Sequence, residues 1–481
     1  MNRYFVRGEG RHEPPRRAYA RIDHIELADG DGEGDVVIAF DAVDAEWDGF
    51  TRDGPFSLDR PGDEIAWLWK RRFKGGVTQF EGPDPFDEIP LYEIEVSLPR
   101  HRINLHVLQE YVRGTELGWV QIDLGPDASI PCDVYGGLFM PAIPSKHEAS
   151  FVSEETSAAL DRIFNMDDWP SADPAEVERI LASRCRLDQL IALDIGQGSA
   201  NALVCECGAP NYYFDVGCGV YRNAKTAPTS LEFCTHAHPP VILSHWDADH
   251  WSAASLDADL RKRDWIAPRQ TVGPKHLAFA ATILNDNGAI HILDRIPGAP
   301  PISWSRRAQT FELRHCTGKS RNGSGLALVV TDRDVDRSWV LTGDAGYHEI
   351  GGPAPAPVSA VTVPHHGARM AAKSKPPKPS EGYARLLYSF GPGNSHGSTN
   401  VRHPTQHAID KHLTAGWSHT MWSKDCGGEG VGVPPVLTTA DHAASSPHDH
   451  LGGAAAGWTS PPSPPDHLVN DCHKKMPVTQ V

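Results

Sequence analysis

The stretch VILSHWDADHWSAA, residues 241–254, decides how this chain reads. A short apolar run, fit for a buried strand, leads straight into His245, Asp247, Asp249 and His250, and the chain then turns small again. A buried strand delivers its last residue to the edge of a sheet, where the following side chains splay into a cleft. Imidazole and carboxylate are the ligands of divalent transition metals, and packing alone gives no reason to crowd four of them into six residues.

One metal ion needs more ligands than this loop supplies, so others must come from elsewhere in the chain. Suitable residues recur, each where an expected strand runs into a polar turn. His315 ends FELRHC, Asp344 follows WVLTGD, His365 and His366 follow VTVP, and His403 lies in VRHP. A lone histidine at such a place is usually a hydrogen-bonded surface residue. Four such turns beside a dense HxDxDH cluster point instead to a metal site.

The rest of the chain sets the frame. At 481 residues it exceeds one typical core, and two or three domains are expected. No stretch approaches the roughly 20 apolar residues of a membrane span. The opening MNRYFVRGEGRHEPPRRAYA has charge but no apolar core, so a secretory signal is not expected and a cytoplasmic location is. Nine irregularly spaced cysteines suggest no disulfide framework, and Cys205 and Cys207 read as buried thiols on one face of a strand. A formal charge of −17 argues against a protein coated in nucleic acid, while leaving room for a local basic track.

Composition changes along the chain. Residues 1–150 carry strand-like pieces such as GDVVIAFDAV and PLYEIEVSL between Gly, Pro and Asp, and read as a mostly β module. Residues 151–186 hold two helix-like segments, read as a connector. From 187 to 425 strands, turns and helices alternate. Residues 426–481 are rich in Gly, Pro, Ala, Ser and His without periodicity, and read as a disordered low-complexity tail.

The order DIGQGSA, SHWDADH, LTGDAG, VPHHGA and a late His-Pro resembles the metallo-β-lactamase superfamily, and within it the ComEC-like competence hydrolases. The resemblance covers roughly residues 187–425. It implies an α/β fold, an αββα sandwich with the site at one edge, beside the separate mostly β N-terminal domain. It also implies two divalent metal ions, zinc or manganese. By that resemblance His245 and Asp247 hold the first ion and Asp249 with His250 the second. Asp344 bridges them, His366 joins the second ion, and His315 stands where a middle histidine ligand falls. Asp194 matches a structural acid near the ions. Asp249, His365 and His403 are expected at the reaction itself, the two histidines as substrate or phosphate contacts.

Several departures bear on substrate choice. Asp247 replaces the usual His, Ser199 and Ala368 stand where the family often has Asp and Ser, and His396 competes with His403. Trp251 follows the cluster and is expected to wall the cleft.

Two such ions would make hydroxide available from a bridging water, so no serine or cysteine nucleophile is required. Phosphodiester cleavage is the leading expectation, as a phosphodiesterase or nuclease with a basic track through Arg269, Lys275, Arg314, Lys319 and Arg321. Two alternatives stay open. One is a small-molecule phosphoester, phosphorylcholine-like ester or lactone hydrolase. The other is a partner-activated effector, with a protein partner engaging residues 1–180, including a role in bacterial defence. No membrane partner is expected.

Overall fold

The computed structural model describes residues 1–27, 35–74, 83–102, 118–182, 185–229, 231–296, 298–353, 355–391, 393–396, 402–418, 436–439, 453–462, 472 and 478–480. They form two compact units. The first comprises Met1–Pro170, Thr271–Ile290 and Ser395–Val401, and the second Ser171–Gln270, His291–Asn394 and Arg402–Val481.

The first unit is built on six strands: β1 (Arg17–Leu27), β2 (Asp35–Asp44), β3 (Leu91–Pro99), β4 (Val120–Leu124), β5 (Ile130–Tyr135) and β6 (Ile143–Phe151). They close into a barrel in the order β1-β2-β3-β5-β6-β4. Strand periodicity sends alternate residues to opposite faces. Ala18, Ala20, Ala42, Ile94, Val96, Ile122 and Val134 share one apolar cluster. The opposite parity of β2 and β3 places Asp41 directly across from Glu93 in the register.

Two facing carboxylates repel unless a cation meets them. A register shift between Ile22 and His24 adds a third, Asp23, beside them. The cation comes from far along the chain, on the helix Pro274–Asn285. Lys275 Nζ is fully buried and donates to Asp23 Oδ2 at 2.8 Å and Glu93 Oε2 at 2.7 Å. His276 Nδ1 lies 3.4 Å from Asp41 Oδ2. Asn285, at the other end of the helix, donates to Asp84, and Phe279 packs edge-on against Phe5.

The second unit contains two mixed sheets. Its first eight-stranded sheet is built from β7 (Leu187–Ala192), β8 (Ala200–Cys205), β9 (Pro210–Val216), β10 (Val241–Ile242), β11 (Asp264–Pro268) and β12 (Ala289–Leu293), extended by two late strands. The other has β13 (Ile302–Arg306), β14 (Gln309–His315), β15 (Leu326–Asp332), β16 (Arg337–Leu341), β17 (Val358–Thr362), β18 (Arg385–Tyr388) and β19 (Val436–Thr438), in chain order. One apolar cluster joins them, with Leu203, Phe214, Ile242 and Ile266 from the first and Phe311, Leu328, Trp339 and Leu341 from the second.

The expected α/β class and αββα sandwich are corrected here. The described chain is mostly β, with a closed barrel and mixed sheets, and its helices do not form two outer layers. The physical reason is visible in the longest helix, Pro274–Asn285. Expected among the layers of the second half, it is spent on the barrel unit, where Lys275 and His276 answer three buried carboxylates.

Of the two helices expected as a connector, Glu154–Ile163 belongs to the first unit and Pro174–Leu181 to the second. Much of residues 426–481, expected as a disordered tail, lies outside the described residues. Its described stretches include β19 and the strands β20 (Gly453–Ala456) and β21 (Val478–Gln480). β20 pairs with β7, and Trp458 stacks on Trp339 with ring centroids 3.8 Å apart.

The expectation of no disulfides is also overturned, since Cys205 pairs with Cys207 and Cys234 with Cys472. Cys207 is exposed, because β8 ends at Cys205 and the next residues turn outward. No helix among the described residues is long and apolar enough to cross a membrane.

The barrel cluster generates a pH prediction. Burial pushes the Glu93 carboxyl up from 4.5 to about 8, with Lys275 opposing the shift and Asp23 adding to it. A folded value above the unfolded one means that folding favours the protonated form. The contribution is complete below the unfolded value and is lost as pH rises through the folded one. Wild type therefore loses thermal stability between about pH 5 and about pH 8 more steeply than Glu93→Gln, whose side chain stays neutral. Equal slopes in the two proteins would contradict this.

Candidate metal centre

Three backbone devices build the centre within the second unit. The loop after β10 lies against glycines that leave no room for a side chain. A Cβ on Gly217 would sit 1.6 Å from the carbonyl oxygen of Asp249, and Ser199 N donates to that same oxygen at 2.9 Å. This gives the GQGS and DVG turns a structural task. Two indoles hold the loop from behind. Trp246 donates to the Pro268 carbonyl at 2.9 Å and Trp251 to the Trp246 carbonyl at 2.8 Å. Trp251 is fully buried, so it does not wall a cleft as expected.

The third device is backbone held in the left-handed region. Asp215 (φ 61°), His365 (φ 49°) and His366 (φ 53°) adopt it without being glycine, and Gly367 follows at φ 85°. Such conformations persist where surrounding structure enforces them, and they re-aim side chains.

The side chains then meet. His245 Nε2 lies 3.3 Å from Asp247 Oδ2 and 3.6 Å from Asp344 Oδ2. His250 Nε2 lies 3.1 Å from Asp344 Oδ1. His366 Nε2 lies 3.2 Å from Asp249 Oδ2 and 4.0 Å from Asp344 Oδ1. His245, His250 and Asp344 form one metal-sized group, and Asp249, His250 and His366 form another. Asp344 thus turns one oxygen toward His245 and the other toward His250 and His366.

The imidazole tautomers follow from the hydrogen bonds behind them. Ser244 Oγ donates to Asp215 Oδ2 at 2.8 Å, which leaves the Ser244 hydroxyl oxygen to accept from His245 Nδ1 at 3.0 Å. His250 Nδ1 lies 2.8 Å from Asp215 Oδ2, and His366 Nδ1 lies 2.8 Å from the Ser389 carbonyl oxygen. With each Nδ1 carrying its proton toward an acceptor, every Nε2 turns a lone pair to the cluster. Among the described residues, His245 Nε2, His250 Nε2, His366 Nε2 and Asp344 Oδ1 are all buried without a hydrogen-bond partner. Buried polar atoms are normally satisfied, and four orphans converging on one place fit divalent cations.

Electrostatics agree. Burial works against the His250 imidazolium, yet Asp344, Asp215 and Asp249 outweigh it and hold the group well above its ordinary value. Burial likewise favours a neutral Asp344, but His250, His365 and His245 pull it well below the usual carboxylate range. Asp249 is lowered too, its burial outweighed by His250 and His366. The cluster stabilises positive charge in its midst.

Not every expected residue joins. His315 ends β14 and belongs to neither group at this centre; burial and then Arg295 depress its imidazolium, with Asp294 opposing. Asp194 is in none of the metal-sized groups either, and Asp247, expected as a ligand of the first ion, is also in none of them. His396 falls in the first unit. His365 Nε2 lies 3.5 Å from Asp344 Oδ2, and its side chain is 24% exposed, placing it at the rim. His403 is buried with its ring 5.2 Å from that of His365. The Asn394 side chain holds the His403 backbone at both ends, donating to its carbonyl at 2.6 Å and accepting from its N–H at 3.0 Å.

Three residues of the centre were not singled out as contributors from sequence. Asp215 is the acid that orients His250 and Ser244; its signal was the same strand-then-turn layout, in YFDVG. Arg321 Nε lies 2.9 Å from Asp247 Oδ1, fixing that carboxylate. Asn322 donates to Asp344 Oδ2 at 3.4 Å.

Loss of a group that orients a metal-binding histidine typically costs 10–100-fold in affinity. Asp215→Asn is therefore expected to weaken manganese binding by about 10–100-fold, read by competition with a fluorescent chelator, with the circular dichroism spectrum unchanged. Unaltered affinity would remove Asp215 from the centre. No family model matches the chain, and no curated protein does so either.

Proposed function

We propose that the chain is a divalent-metal-dependent hydrolase acting on phosphodiester bonds. The reading rests on Asp344, whose Oδ2 faces His245 while its Oδ1 faces His250 and His366. That is the arrangement expected of a carboxylate shared by two cations. The order of motifs, which resembles the metallo-β-lactamase superfamily and its ComEC-like branch, supports the same reading.

His245 and Asp247 would hold one ion, Asp249, His250 and His366 the other, with Asp344 between them. Three imidazoles and three carboxylates suit zinc or manganese. When bound, such a pair lowers the pKa of a water and polarises a phosphoryl oxygen.

The chain's own residues supply the rest. Asp215 and Ser244 keep the imidazoles in the binding tautomer, and Arg321 pairs with Asp247 and aims it. His365 at the rim and the buried His403 beside it would offer ring N–H groups to a phosphate oxygen or a proton to the leaving alkoxide.

The size of the substrate turns on the expected basic track. Arg269 is tied to Asp294, Arg314 to Glu312 and Arg321 to Asp247, while Lys275 is buried against Asp23 and Glu93. Of those five residues Lys319 is the exposed one. With these charges engaged inside the fold, a small phosphodiester is favoured over a long nucleic-acid strand, and this second reading shares the same centre.

The test is hydrolysis of bis(p-nitrophenyl) phosphate, single-stranded DNA and RNA by metal-stripped protein given back manganese or zinc. Restored turnover of the small diester is expected, abolished in Asp249→Ala and lowered about 10²–10⁴-fold in kcat by His403→Asn. Cutting of the polymers as well would restore the nuclease reading. Failure to hydrolyse any phosphodiester with metal bound would sink the proposal.

A further inference from the structure

A second group of ligands lies in the same unit, built from residues that the proposed hydrolysis does not use. The sulfurs of Cys185, Cys205 and Cys207 all lie within 4.8 Å of one another. Cys185 sits just before β7, Cys205 ends β8, and Cys207 lies in the turn leading to β9. None of them appears in the metal-sized groups formed by His245, Asp249, His250, Asp344 and His366.

The backbone fixes this meeting. Leu187 pairs with Cys205 in the β7–β8 register, which brings the residues before β7 alongside the end of β8. Glu206 N donates to the Arg186 carbonyl at 3.0 Å, and Asn211 Nδ2 to the Cys185 carbonyl at 3.2 Å. Gly208 N donates back to the Cys205 carbonyl at 2.8 Å, closing a turn in which Gly208 has φ 81°. The turn returns Cys207 to the side of Cys205, and the two are joined as a disulfide. Exposure rises from buried Cys205 through Cys185 to exposed Cys207, so the group opens to solvent on one side.

Three sulfurs at this spacing suit a thiophilic cation. Zinc holds thiolates at about 2.3 Å, which separates neighbouring sulfurs by about 3.8 Å in a tetrahedral site. Three protein ligands leave a fourth position for water. The disulfide and the metal exclude one another, because a sulfur bonded to sulfur has no thiolate to give.

We propose that Cys185, Cys205 and Cys207 form a redox-gated thiolate site for a zinc-class cation, closed while Cys205 and Cys207 are joined and opened when a dithiol reductant separates them. The reductant delivers two electrons and two protons to the Cys205–Cys207 bond and becomes a disulfide itself. Binding of the cation then releases the protons of the three thiols. The bound ion would clip the lead-in of β7 to the β8–β9 turn. The site is independent of the hydrolase reading, and either stands if the other falls.

Cobalt reports on it directly, because only sulfur ligands give an intense thiolate-to-cobalt charge-transfer band, and the His–Asp groups contain no sulfur. The full chain is treated with a phosphine reductant, freed of it by gel filtration without air, and titrated with cobalt(II). The expected result is a charge-transfer band in the reduced chain, lacking in the air-oxidised chain. Cobalt binding at that band weakens about tenfold or more in both Cys185→Ser and Cys207→Ser. The second substitution is at an exposed position, so its folding is not at issue. A reduced wild type without the band would overturn the proposal. So would a band that survives oxidation, or one that persists at full affinity in Cys185→Ser.

Discussion

Buried charge without enough partners is the constraint on which the rest of the second unit depends. Asp344, His245, His250 and His366 are buried where they meet the half-buried Asp249, and four of their polar atoms find no hydrogen bond among the described residues. Isolated buried charges of this kind are too costly to keep unless something compensates them. On the proposed reading a divalent cation on each side of Asp344 would compensate them, with the surrounding architecture as its support. Asp215 and Ser244 choose the tautomers, Gly217 admits the Asp249 backbone, and left-handed His365 and His366 turn their rings to the cluster and its rim.

The first unit meets the same problem in a different way. Asp41 and Glu93 face one another across a strand pair, a bulge adds Asp23, and a lysine nearly two hundred residues from β3 supplies the cation. There the buried carboxylates meet a lysine side chain, whereas Asp344 and Asp249 meet imidazoles. In the barrel Nζ of Lys275 stands between Asp23 and Glu93, whereas Asp344 has the Nε2 atoms of His245, His250 and His366 around its two oxygens.

Much of the centre was legible because its ligands stand at strand ends, where period-two alternation gives way to a splayed turn. His245, Asp249, His250, Asp344 and His366 were identifiable on that ground. Asp215 was passed over because a single carboxylate in YFDVG carries no local cluster, and its role depends on Ser244 and His250 folding back onto it. His315 occupies an equally suggestive strand end, but β14 delivers it toward Arg295 and Asp294 instead. The mostly β character of the first 150 residues was readable from alternation. The helix Pro274–Asn285 was assigned by chain position to the second half, and only non-local charge reveals that the barrel unit holds it. That misplacement, with the helical layers implied by resemblance, is why the αββα expectation failed.

The central claim is that Asp344 is shared between two cations. Manganese titration followed by electron paramagnetic resonance tests it most directly, since manganese prefers this oxygen- and nitrogen-rich centre to thiolates. Two manganese ions per chain with an exchange-coupled signal, collapsing to the signal of isolated ions in Asp344→Ala, is the predicted result. A single uncoupled ion in the wild-type chain, or coupling that survives loss of Asp344, would contradict the account.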